Sequence, residues 1–300
     1  MNHFHRACAK PIWHGMGCLL ALCALQPQPS LAVDTEPGNY TALPPGSSAV
    51  GLYYHRIARD AQYVNGNKLQ NHPELNTDLV QMKAAHYLDM GGYTVAPGFI
   101  LSCGRTQAGG GVAALGSVEG CWDLLAGGTL WAINNPGQRN YFGISPYFMA
   151  PTGDYDKNRA LNLGENRWKH GVNAGYITPL SEHLMLDLVG DLLWSGKNSE
   201  YGPHSATLEQ DVVYNVQLHL RYNLDESTRF SASYLHDWGG ETAVNGIWRN
   251  DRKNQGRYRV GAAKFLNRHN LLQVEAGADT HVENGFKEKS RLILRYVMIF

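Results

Sequence analysis

Beyond residue 32 the chain has no apolar run approaching the roughly 20 residues that a helix needs to cross a bilayer. If it enters a membrane, it does so with strands. Charge is scarce as well: Asp, Glu, Lys and Arg make up 17% of the residues, with 26 basic against 26 acidic. Such a balance offers nothing to a nucleic acid, and none is expected as a partner. Three of the five cysteines lie within the first 23 residues. The other two, Cys103 and Cys121, form no C-x-x-C pair and have no His-x-x-x-His near them, so no metal centre is expected. Catalytic motifs are missing too. Gly109 to Gly111 are not followed by Gly-Lys-Ser or Gly-Lys-Thr, no Gly-x-Ser-x-Gly elbow occurs, and His204 and Ser205 are neighbours in a loop. We therefore expect no catalytic residues, no cofactor and no enzyme activity.

What is present begins with a leader. Arg6 and Lys10 precede an apolar run from about Gly15 to Leu25, and Ser30 and Ala32 stand at cleavage spacing, which reads as a secretory signal peptide over residues 1–32. Its removal takes Arg6 and Lys10, leaving 24 basic residues against 26 acidic ones. The exported product is expected to start with a short periplasmic segment, residues 33–47, and to continue as one unit over 48–300.

That unit reads as strands. From Glu182 to Ser195, Leu184, Leu186, Leu188, Leu192 and Trp194 share one face, with Asp187 and Asp191 on the other. In DVVYNVQLHLRY, Val212, Val216, Leu218 and Leu220 alternate with Asp211, Asn215, Gln217, His219 and Arg221. The last eleven residues put Leu292, Leu294, Tyr296, Met298 and Phe300 on one face and Arg291, Ile293, Arg295, Val297 and Ile299 on the other. Weaker alternations elsewhere bring the count to about twelve.

The connections alternate in length. Tight turns (DMGG, NNPG, PLSE, NLDES, NRHN) alternate with long glycine-rich or polar loops, so the two ends of the strand array differ. Short turns on one rim, long loops on the other and an even strand count are the marks of an all-β, closed antiparallel transmembrane barrel in a bacterial outer membrane. A soluble sandwich or lipocalin-like barrel would turn the greasy faces inward, but twelve strands enclose more space than side chains fill. On the barrel reading Asp187, Asp191, Asp211, Asn215, His219, Arg221, Arg291 and Arg295 line a wet pore. His219 would titrate near neutral pH there and modulate conductance. Tyr296, Met298 and Phe300 face lipid and form the C-terminal signal for the barrel-assembly machinery, with Phe300 at the periplasmic interface. Cys103 and Cys121, on neighbouring antiparallel strands near one rim, are expected to form a disulfide that gathers a loop with almost no apolar anchors.

Several stretches resemble a known family, the outer-membrane proteins of the meta-cleavage pathway of phenol degradation. They are NYTALPPGSSAVGLYYHRIARDAQYVNGNKL, SPYFMAPTGDYDKNRALNLGENRW and HDWGGETAVNG, the most specific element being Pro151 to Tyr155 followed by Asn162, Leu163 and Gly164. The resemblance spans essentially the whole exported chain. It implies a channel that passes small aromatic or hydrophobic molecules passively, with selectivity set by pore width, lumen charge and loops folded inward. An outer-membrane lipase, or a structural or adhesive barrel, are the alternatives.

Overall fold

The computed structural model describes residues 33–300, so the signal peptide read over 1–32 lies outside the described residues. Twelve long strands follow in chain order: β1 Ser48–Val64, β2 Pro73–His86, β3 Tyr93–Gly110, β4 Leu124–Asn135, β5 Asn140–Ala150, β6 Lys169–Pro179, β7 Leu184–Ser195, β8 Val213–Asn223, β9 Thr228–Gly239, β10 Lys253–Asn267, β11 Asn270–Val282 and β12 Gly285–Ile299. Each pairs antiparallel with its sequence neighbours, and β12 pairs with β1 from Ala49↔Ile299 to Tyr63↔Gly285, so the sheet closes. The seam continues one residue further, with Ser48 and Phe300 exchanging both backbone hydrogen bonds. Among the described residues the helical content is one 3-10 turn, Ala113–Leu115.

The period-two reading of the faces holds. Leu188, Leu192, Trp194, Leu294, Tyr296 and Met298 are exposed on the outside, while Asp187, Asp191, Asn215, Arg221, Ile293 and Val297 are buried inside. On the periplasmic rim a two-residue turn joins Met90 to Tyr93, and there Gly91 and Gly92 both have positive φ (64° and 88°). That is the backbone a two-residue hairpin needs to match strand twist.

Residues 33–47, read from the sequence as a periplasmic segment, run instead up through the lumen from the periplasmic rim. Thr35 donates its backbone N–H and hydroxyl to Gln217 Oε1 (2.9 and 3.0 Å), Gly38 N–H donates to Asp187 (2.6 Å), and Asp34 pairs with Arg257 and Arg259. The physical reason is the one that argued against a soluble barrel: twelve strands leave room that wall side chains cannot fill. A segment carrying Asp34 and Glu36 also supplies acids to a wall rich in arginine.

The long loops close over the other end. Segments Asn198–Tyr201, Ala206–Gln210, Thr242–Val244 and Ile247–Trp248 form a small second sheet above the rim. Leu75, Val112, Leu115, Val118, Trp122, Leu161, Leu163 and Phe286 form an apolar cluster beneath the other loops. The loop after Cys103 is therefore anchored by Val112, Leu115 and Val118, which corrects the expectation that it lacks apolar anchors. Its expected disulfide is present, Cys103 and Cys121 standing directly opposite each other in the ladder. Alkylation of the folded, unreduced protein should label neither thiol, and full labelling of both would rule the bridge out.

Candidate functional site

The lumen has two unlike walls. On β8, β10 and β12 the inward positions carry Arg221, Arg257, Arg259, Arg291 and Arg295, the first three buried and the last two partly so, among buried acids. Asp187 accepts from Arg221 Nε at 2.9 Å and Nη2 at 2.8 Å, Glu288 from Arg291 Nε at 2.8 Å, and Asp237 pairs with Arg257. Arg295 donates to Gln273 Oε1 (3.0 Å) and lies 5.2 Å over the Tyr53 ring. Each of these guanidiniums faces a carboxylate or a ring, although the Nε of Arg257 and of Arg295 is left without a partner.

On β2 to β5 most of the lining is small or apolar, with Ala85, Ala96, Gly98, Ile100, Leu125, Gly127 and Trp131 beside the polar Lys83, Thr129 and Ser145. Between this wall and the N-terminal segment lies a cavity of about 120 Å³. Tyr40, 2% exposed, forms one side of it. Its ring lies flat against Gly143 and Gly175, which face each other in the β5–β6 ladder, and a Cβ at Gly175 would stand 2.0 Å from Tyr40 Cδ2. Only glycine fits both positions beneath that ring. Trp131 Nε1 donates to the Tyr40 carbonyl (2.8 Å), and the Tyr87 ring stacks on Trp131 at 5.4 Å.

Of the residues read as pore-lining, Asp187, Asp191, Asn215, His219 and Arg221 are brought together on the inner faces of β7 and β8, with Asp187 opposite His219 and Asp191 opposite Asn215. Arg291 and Arg295 lie on β12, the strand that closes the barrel against β1. Asp211 does not join them. It is exposed in the loop before β8, its N–H donating to Glu241 O (2.9 Å), because the strand starts two residues later. His219 is 1% exposed, with Nδ1 2.8 Å from Ser233 Oγ and Nε2 without a partner. In this conformation it touches no open water path, so the conductance role expected for it has no geometric support. The same Ser233–His219 contact lacks the orienting carboxylate of a nucleophile–base pair.

Sequence reading missed the residues that narrow the lumen. Asp34, Glu36 and Tyr40 sit in a stretch without periodicity, and nothing local reveals their distant partners. Arg257 and Arg259 were more accessible, as their spacing of two in GRYRV marks an inner face.

At the loop end Glu165 pairs with Arg167 (2.6 Å) and with Lys169, all three buried. Burial alone would raise the Glu165 carboxyl, but Lys169 and Arg167 outweigh it and hold the group at about 2. A carboxyl lowered on folding adds stability above its ordinary value near 4.5, and that contribution is lost as pH falls toward 2. Limited proteolysis of the loop 151–168 should therefore be flat from pH 7 to about 5 and accelerate below it. Close packing holds the same loop: a Cβ at Gly153 would come within 2.8 Å of Gly164 Cα, and one at Gly164 within 2.6 Å of the Gly153 carbonyl carbon.

A family model described as "Putative MetA-pathway of phenol degradation" matches residues 58–296. The COG4313 outer membrane channel from Pseudomonas putida F1 is 38% identical, with a TM-score of 0.86 over 89% of this chain and 100% of that one. The β domain of the Bordetella autotransporter BrkA shares the barrel alone, at 12% identity and a TM-score of 0.51 over 86% of this chain and 100% of that one. No curated protein sequence matches.

Proposed function

The chain belongs to this MetA-pathway family of phenol degradation, and from that premise we propose that it is an outer-membrane channel through which small aromatic or hydrophobic molecules cross passively. The observation that carries the reading is the divided lumen. One wall is mostly apolar and lined with glycine and alanine, while on the opposite wall Asp187, Glu288 and Asp237 hold Arg221, Arg291 and Arg257 in ion pairs. A hydrophobic solute passing along the first wall leaves every ion pair of the second intact, whereas a hydrated ion has to compete with those pairs. No step of this function calls for catalysis.

The outer face supports the remaining parts of the reading. Tyr296, Met298 and Phe300 are exposed in one row, with Phe300 at 63%, and we assign them to lipid contact and to recognition by the barrel-assembly machinery after export through a signal peptide cleaved behind Ala32. Liposomes carrying the purified barrel should admit phenol-sized aromatics faster than sugars of similar mass, and a deletion strain should lose uptake of the same aromatics. Equal permeation of sugars and aromatics would overturn the proposal.

A further inference from the structure

The polarity of one buried hydrogen-bond chain gives the cavity a chemical preference. Asp191 accepts from the Tyr147 hydroxyl (2.9 Å) and from Asn173 Nδ2 (3.2 Å), so the Asn173 amide is oriented with its oxygen toward Tyr40. That oxygen takes the Tyr40 hydroxyl proton at 2.5 Å. Tyr40 has then used its single proton, and its 2.9 Å contact with Ser145 Oγ leaves Ser145 as the donor. Ser145 in turn has no second proton. In its 2.7 Å contact with Thr129, it is Thr129 that donates. The chain thus ends on a Thr129 oxygen with free lone pairs and no proton to offer, on a residue that lines the cavity.

Size limits the occupant as sharply as polarity does. The cavity measures about 120 Å³, and an apolar cavity of about 150 Å³ in another protein holds one benzene. The lining includes the side chains of Tyr40, Trp131 and Tyr147, with Gly98 and Gly127 giving a flat floor. Aromatic edges and faces around a flat floor suit a planar ring. From these observations we infer that the cavity is a binding site for one single-ring aromatic bearing a hydroxyl, the hydroxyl donating to Thr129 Oγ1. The inference rests on the channel reading and deepens it by naming the cargo class and the residue that selects it. Because Tyr40 belongs to the N-terminal segment, the site exists only while that segment is seated in the lumen.

Fluorine NMR titration of the full barrel in detergent with 4-fluorophenol and 4-fluorotoluene, which match in size, tests it. Saturable binding of 4-fluorophenol is expected, and Thr129→Val should weaken it about threefold to tenfold, the worth of one neutral hydrogen bond, without weakening 4-fluorotoluene. Ala96→Leu, which fills the cavity, should abolish saturable binding of both probes. Each variant is first checked for the heat-dependent gel shift of a folded barrel. Absence of saturable 4-fluorophenol binding to the unaltered protein overturns the site without recourse to any variant, and so does an equal loss of both probes in Thr129→Val. Liposome permeation of the same probes separates the two proposals. Permeation without saturable binding sinks the site and leaves the channel; binding without permeation sinks the channel and leaves the site.

Discussion

Leu294→Arg should destabilise the folded barrel by about 2 to 4 kcal/mol, the cost of a guanidinium on the lipid face near mid-bilayer. Leu294 is 45% exposed on the outside of β12, directly opposite Tyr54 on β1 and Val274 on β11. No carboxylate stands opposite it to pair with a new charge, and the closing seam has no slack strand to absorb one. A loss of this size is a large share of the margin by which most proteins are folded. The neighbouring substitution, Arg295→Leu, should behave differently. Its side chain points inward, and removing it leaves Glu36 still paired with Lys83 at 3.5 Å, so assembly should survive while permeation changes. Urea-dependent folding into liposomes, followed by the heat-dependent gel shift, measures both. Equal losses from the two substitutions would mean that β12 has no lipid face.

The contrast between Leu294 and Arg295 was legible in the sequence because a strand's faces are set by a period of two, and a period is a local property. That parity puts Asp187, Asp191, Asn215, His219 and Arg221 on one face, and all five are buried. Asp211 has the same parity but was misplaced, since parity says nothing about where a strand begins. The small rim sheet escaped notice for a related reason: its strands have two to five residues, too few to show alternation, and they come from two separate loops. The lumenal segment was the hardest element to foresee. Residues 33–47 contain Pro37, Gly38, Pro44 and Pro45 and no repeating pattern, while Asp34 finds Arg257 at a separation of 223 residues.

That segment gives the second large effect. Tyr40→Ala should release residues 33–43 from the lumen and raise the ion conductance of the single barrel. The ring is almost fully buried in an apolar cluster with Tyr87, Trp131, Ile177 and Met185, and its hydroxyl and carbonyl are both hydrogen-bonded. Removing a buried aromatic side chain of this kind costs about 3 to 5 kcal/mol, which lowers the seated fraction by more than about a hundredfold relative to the released one. Asp34 with its two arginines and Thr35 with Gln217 remain, but these polar contacts have water as an alternative partner once the segment lifts, and the Tyr40 ring has none. Gly175→Ala should reproduce the effect without touching the segment, because the new methyl would occupy the space of the ring at a distance of 2.0 Å. Tyr40→Phe keeps the ring and loses one hydroxyl, so it should change conductance far less. Planar-bilayer recordings of the three variants decide the matter: conductance in Tyr40→Ala and Gly175→Ala indistinguishable from the parent would show that the segment is held by its charges alone, and the glycine slot would then have no part in closing the lumen.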